Sequence, residues 1–170
     1  MQGSITIRSM TELAVEFANT LRASRGHLAD GLPEWADQAG LPADLARLAG
    51  LRDAIRVLLR AVTEGGEIPA PELGVLNSAA AAAPQWPELQ AGLTVVERTG
   101  ADAGQAALAA IARDAIDLLG TPPRRDALRA CDAPGCVQFF IKDHPRREWC
   151  GPACGNRARA ARHYARHRPG

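Results

Sequence analysis

Aromatic residues make up only 4% of this 170-residue chain. Alanine is abundant instead, a balance that favours helices over an all-β sandwich. No run of about 18 apolar residues occurs, so no transmembrane helix is expected. Residues 1–10 hold one arginine and no apolar segment, so no secretory signal is expected there. A cytoplasmic, reducing compartment follows from both. No nucleophile–base pair, phosphate-binding loop or carboxylate pair stands out, and His27 is the single histidine of residues 1–120. An enzyme is therefore not expected. No internal repeat is present. Cysteine is absent everywhere except between residues 131 and 154.

Hydrophobic residues at 46% and charged residues at 23% describe an ordinary globular chain. The formal net charge of +1 is unevenly spread. Residues 1–120 carry 9 Lys and Arg against 15 Asp and Glu, whereas residues 121–170 carry 11 against 4. A mildly acidic body thus precedes a basic tail, as expected when one end of a chain meets a polyanion. The run Gly120-Thr121-Pro122-Pro123 marks the boundary, giving a body over 1–120 and a tail over 121–170. A body of that length can bury its own core, but so short a tail usually needs a metal or disulfides.

In the body, Ile5 and Ile7 suggest a short first strand. Leu13, Phe17 and Leu21 lie at i, i+4 and i+8 and predict a helix, broken at Arg25-Gly26-His27. A short helix is expected over 32–39, with Pro33 in its first turn and Trp35 as an anchor. Pro42 opens a longer helix over 43–62, with Leu45, Leu48, Leu51, Ile55, Leu58 and Leu59 inward. Arg52, Arg56 and Arg60 recur along it and read as a solvated basic stripe. A Gly- and Pro-rich loop, a helix over 72–83, a strand over 93–98 and a helix over 106–119 complete the body. In the last helix Leu108, Ile111, Ala115, Ile116 and Leu119 are expected inward. Asn19, Thr20 and Arg22 are polar on an otherwise apolar first helix. They are candidates for lining a small-molecule pocket, although the reading preferred for Asn19 is a bond to a neighbouring backbone group.

The tail concentrates the chemistry. Cys131, Cys136, Cys150 and Cys154 follow the pattern C-x4-C, thirteen residues, C-x3-C. Two closely spaced thiolate pairs can each supply half of a tetrahedral zinc site. Two disulfides would also use four cysteines, but a reducing compartment disfavours them. His144, His163 or His167 could replace a thiolate, yet four sulfurs already complete the shell. A full shell leaves no open position, so one structural Zn2+ is expected rather than a catalytic one. Between the pairs, Val137, Phe139 and Ile141 alternate with Gln138, Phe140 and Lys142 as in a strand. Asp143-His144-Pro145 is turn chemistry, and Arg147 to Trp149 reads as the returning strand. A knuckle, a hairpin and a helix carrying the last ligand make a treble-clef-like module. The fold class expected is α+β and mainly helical.

The helix after Cys154 has almost no apolar face. Ala158, Ala161 and Ala165 form a narrow small-residue stripe, flanked by Arg159, Arg162 and Arg166 on one side and Arg157, Tyr164 and Arg168 on the other. Such a helix suits a DNA major groove, where arginines reach guanine edges and phosphates. Asn156 and Arg157 follow the last ligand directly. Asparagine can pair with adenine and arginine with guanine, while Asn156 could instead bond the knuckle backbone.

At Cys154-Gly155-Asn156-Arg157 the tail resembles the CGNR zinc finger family. The neighbouring residues agree: Cys131 and Cys136, Phe139-Phe140, Arg147, Trp149-Cys150, and a basic helix with Tyr164. The resemblance implies a DNA-binding module of bacterial transcription regulators. The body is similar to the ABATE domain that usually precedes this finger in stress-induced regulators. Glu16-Phe17-Ala18-Asn19-Thr20-Leu21 matches its D-F-V-N-T-L string except at Glu16 and Ala18. The Trp35 segment, Leu51-Arg52-Asp53-Ala54-Ile55 and Ala112-Arg113-Asp114-Ala115 follow in order.

The expectation is therefore a transcription regulator that binds double-stranded DNA through Asn156, Arg157, Arg159, Arg162 and Arg166. Its body would sense a small-molecule effector or stress signal. One small finger covers little DNA, so a homodimer on the bacterial nucleoid is expected. The competing expectation is a small-molecule-binding body whose zinc tail makes protein contacts.

Overall fold

The computed structural model describes residues 12–24, 26–41 and 44–167; the strand expected at Ile5 and Ile7, and Arg168, lie outside them. Helix α1 (Leu13–Ala18) buries Ala14, Val15, Phe17 and Ala18. It is shorter than the spacing of Leu13, Phe17 and Leu21 predicts. The Thr20 amide and hydroxyl both donate to the Phe17 carbonyl, at 3.2 and 2.8 Å, and close the helix there. Leu21 instead opens a hairpin of β1 (Leu21–Ser24) and β2 (His27–Asp30), which turns through Gly26 at a φ of 83°. Helix α2 (Leu32–Gln38) brings the Trp35 ring to 5.2 Å from that of Phe17.

Helix α3 (Leu45–Glu64) starts at Asp44, whose carboxylate accepts the Arg47 amide at 3.2 Å, and stops at the left-handed Gly65. Helix α4 (Ala70–Ala81) leads into β3 (Gln85–Leu89), which pairs antiparallel with β4 (Val95–Thr99). The expected strand thus finds its partner in a segment that contains Pro87 and directly follows Pro84. In a two-stranded sheet both strands are edges, and an edge tolerates proline. Helix α5 (Ala103–Gly120) is capped by Asp102, which accepts the Gln105 amide at 2.8 Å. The prolines expected to be boundary punctuation start helix α6 (Pro122–Ala127), since proline suits a first helical turn. Strands β5 (Leu128–Ala130) and β6 (Phe139–Ile141) and helix α7 (Pro152–Arg166) follow. Among the described residues the fold is seven helices and three two-stranded antiparallel sheets, an α+β fold that is mainly helical.

The main core lies between α1, α3, α4 and α5 and is built on Phe17, Ile55, Leu58, Leu59, Leu76, Ile111 and Leu118. Leu45 and Ile116, expected inward, are 41% and 38% exposed; Leu118 fills the inner face of α5 instead. The Asp114 carboxylate on α5 accepts the Ala14 amide at 2.7 Å, so one helix caps the start of another. Leu128 and Phe139 belong to this same core, which therefore continues past residue 120 into β5 and β6.

The arginine stripe of α3 is largely internal rather than solvated. Arg52 is 4% exposed and donates to Asp30 at 2.5 Å, Asp53 at 3.1 Å and the Thr20 hydroxyl at 3.4 Å. Arg56 donates to the carbonyls of Ala18 at 2.6 Å and Val137 at 2.8 Å. Arg56 and Arg60 both lie over the Phe139 ring, at 5.5 and 5.2 Å. Guanidinium supplies several donors in one plane, which suits carbonyls left over where helix α1 ends.

The Arg52 hydrogen bond holds the Asp30 carboxyl below its ordinary value of 3.8, against a smaller opposing effect of burial. A depressed carboxylate stabilises the fold above its unfolded value, and that contribution is lost as pH falls through the folded one. Asp30→Asn is therefore expected to lower thermal stability at neutral pH, with the gap to wild type shrinking below pH 3.8. Melting curves across acidic pH check this; a gap independent of pH contradicts it.

Candidate metal centre and nucleic-acid interface

The first cysteine pair sits in the loop of the β5–β6 hairpin. Leu128 pairs with Ile141 and Ala130 with Phe139. The Cys131 amide then donates to Gln138 at 2.9 Å, and the Cys136 amide to Ala133 at 2.9 Å, closing a knuckle through Gly135 at a φ of 69°. The partner of the Phe139 strand is thus Leu128–Ala130, not the expected Arg147–Trp149. That later segment forms no strand; it follows a turn that the Arg147 amide closes on His144, and the Arg147 guanidinium lies on Asp143 at 2.9 Å and over the Phe140 ring at 5.2 Å. One edge of β6 is already taken by β5, and the chain turns back at His144 before it could run alongside.

All four sulfurs lie within 4.8 Å of one another. Cys136 to Cys150 is 3.8 Å, Cys150 to Cys154 is 3.4 Å and Cys154 to Cys136 is 3.7 Å. A tetrahedron with zinc–sulfur bonds of about 2.3 Å has sulfur–sulfur edges of about 3.8 Å. The cage therefore fits zinc, and all four cysteines are free thiols rather than disulfides. Burial pushes the Cys136 and Cys150 thiols up. Burial acts on Cys154 too but is outweighed by hydrogen bonds from Cys150, Arg157 and the other cysteines, which hold this sulfur below the ordinary thiol range.

Helix α7 buries only Cys154, Gly155 and Ala158. Ala158 is buried, while Ala161, Ala165 and the rest of residues 159–167 are exposed. The Arg157 guanidinium donates to Cys154 Sγ at 3.0 Å, placing a cation beside the thiolates. Asn156 accepts a hydrogen bond from Arg159 rather than bonding the knuckle backbone. Among the described residues, Arg162 and Arg166 bond only carbonyls of their own helix, at 3.4 Å each. Gly155 is where the Trp149 ring meets the helix: a Cβ there would lie 3.1 Å from Trp149 Cδ1. A cleft of about 360 Å³ opens beside it, lined by Arg146, Trp149, Pro152, Gly155 and Arg159.

A family model described as "Putative stress-induced transcription regulator", ABATE, matches residues 11–122. The chain belongs to the ABATE family. A second model, the CGNR zinc finger, matches residues 127–167. No curated protein matches the chain. Neither family is one of enzymes, and the four cysteines are the zinc ligands of the CGNR finger. No helix among the described residues is long and apolar enough to cross a membrane.

The ABATE body and the CGNR finger share strand β6. Side chains alternate along a strand, so Phe139 points into the ABATE core at 1% exposure and Phe140 into the small finger core at 4%. Asn19 fixes this strand from the ABATE side. Its Nδ2 donates to the Phe139 carbonyl at 2.8 Å and its Oδ1 accepts the Phe139 amide at 2.9 Å. Thr20 is buried against Phe17 and Arg52, and Arg22 donates to the Asn19 carbonyl at 3.3 Å. The three residues singled out for a pocket are thus brought together at the seam, with Asn19 in the backbone-bonding role. Arg56 is the fourth member of that seam, although its place on the arginine stripe predicts solvent; it lies one residue past the inward Ile55.

Proposed function

We propose that the protein is a transcription regulator that binds double-stranded DNA through its CGNR finger, with α7 entering the major groove. The observation that carries this reading is the exposed outer half of α7. It presents Arg159, Arg162 and Arg166 with no carboxylate paired to any of them in the described residues. Asn156 and Arg157 lie nearer the zinc cage and complete the proposed contact set, Asn156 beside Arg159 and Arg157 on the other flank of the alanine stripe. Zinc has no reaction to catalyse in this reading; it fixes the helix to the knuckle. The ABATE body senses a small effector or stress signal and brings two copies together on the nucleoid in the cytoplasm. An effector signal reaches the finger through Asn19, whose hydrogen bonds to Phe139 hold β6, with Thr20 and Arg22 beside it.

Each arginine that neutralises a phosphate releases about one counterion, so affinity falls steeply with salt. Arg162→Ala is expected to leave the fold intact, to reduce the slope of log affinity against log salt by about 1, and to weaken binding roughly five- to tenfold. Fluorescence anisotropy with a labelled duplex measures both. A wild-type protein without affinity at low salt contradicts the reading.

A further inference from the structure

Exposed large apolar side chains are unevenly spread over the described surface. Eight of the thirteen lie between Ile68 and Val96. Across those 29 residues the only charged side chains are Glu72 and Glu88. Helix α4 buries just one side chain, Leu76, and leaves Leu73 and Val75 40% and 45% exposed. The β3–β4 hairpin that follows is uncovered on both faces; of its ten residues only Glu88 and Thr99 are partly shielded.

Cross-strand partners share a face. Leu89 and Val95 lie on one side, and Trp86, Glu88, Val96 and Arg98 on the other. At the tip, Leu93 is 81% exposed and holds a φ of 57°. A leucine is disfavoured in that left-handed conformation, where glycine or asparagine would be at ease. Neither its backbone nor its burial in the monomer explains a leucine there. The base of the hairpin is fixed, because Arg113 donates to Gln85 at 2.8 Å and to the carbonyls of Ala80 and Ala83 at 3.0 and 2.5 Å. The apolar tip is therefore presented on a held support.

We infer that the α4–β3–β4 segment is the surface on which two copies of this chain associate. Its size and chemistry fit that occupant. On the face that carries Glu88 and Arg98, Trp86 and Val96, with Leu93 at the tip, expose roughly 300 Å², the larger part of the apolar area such an interface needs. A standard interface buries about 800 Å² per partner and homodimer interfaces are about 65% apolar, which calls for roughly 500 Å² of apolar surface. The ion pair of Glu88 and Arg98, 2.9 Å apart and about half exposed, is self-complementary. Under a two-fold axis each member can face its opposite on the other copy. This assigns a surface to the dimer proposed above and rests on that reading, but not on DNA contact.

Sedimentation equilibrium of the full-length zinc-loaded protein, over a wide dilution series, tests it. Wild type is expected to dimerise, and Trp86→Glu to abolish the dimer. Leu93→Gly is the sharper variant. Glycine relieves the left-handed backbone, so folding is retained or improved, while the dimer is expected to weaken about tenfold through loss of the buried side chain. A wild type that stays monomeric overturns the inference, as does a Leu93→Gly dimer of wild-type strength. A monomeric wild type that still binds DNA overturns only this surface. A dimer broken by these substitutions, without DNA affinity, supports this surface and overturns the DNA reading.

Discussion

Removal of zinc by a strong chelator is expected to unfold the knuckle and α7 while leaving the ABATE body and the β5–β6 hairpin folded. The small core of the finger consists of Cys131, Ala133, Phe140 and Cys154, with Cys136, Trp149 and Cys150 at its edge. Four of those seven are the ligands themselves. Apolar burial is therefore too small to hold a 15-residue helix that buries three residues. Structural zinc contributes about 10–16 kcal/mol in isolated fingers, and nothing else here is of that order. Leu128 and Phe139, by contrast, are buried in the body core and hold their hairpin without the metal. Circular dichroism should lose the α7 signal, and trypsin should cut at Arg157 and Arg162 far faster. The main melting transition should persist. Cys154→Ser should reproduce the chelated state. Unchanged proteolysis of the tail after chelation contradicts a structural role for zinc.

Cutting the seam is expected to cost the body itself. Asn19→Ala removes both hydrogen bonds to the backbone of Phe139, a residue that water cannot reach. Leaving a buried amide and carbonyl unpaired costs about 2–4 kcal/mol. For a chain of this size that is a fall in melting temperature of roughly 5–15 °C. Arg56→Ala removes charged donors from Ala18 and Val137 and a cation from the Phe139 ring, about 3–5 kcal/mol in all. The two losses should be less than additive, because both residues hold the same strand. Differential scanning calorimetry of the single and double variants reads this directly. A melting temperature unchanged by Asn19→Ala would contradict the part given to this side chain in holding the seam.

What the sequence makes legible follows from what each signal depends on. A zinc cage depends on residue type and spacing alone, so the four cysteines identify it without a fold. Helices α3 and α5 are long and periodic, and their inward faces are visible in Leu48, Leu51, Ile55, Leu108 and Ile111. The β3–β4 hairpin is exposed on both faces and so leaves no alternation to read. A stripe of arginines has the same period whether its partners are water or carbonyls, which is why Arg52 and Arg56 pass for solvent-facing residues. Asn19 is conspicuous as a polar residue in an apolar stretch, but its partner is 120 residues away. Two adjacent phenylalanines in a strand point to opposite faces, so Phe139-Phe140 already implies that both sides of β6 are covered.

The most direct measurement is a DNA anisotropy titration run on zinc-loaded and chelated protein across a salt series. The zinc-loaded protein should bind duplex DNA with affinity that falls as the third or fourth power of salt, for three to four neutralised phosphates, and chelation should abolish the binding. Equal affinity with and without zinc, or none at low salt, would contradict DNA binding by a helix that the cage of Cys131, Cys136, Cys150 and Cys154 holds in place.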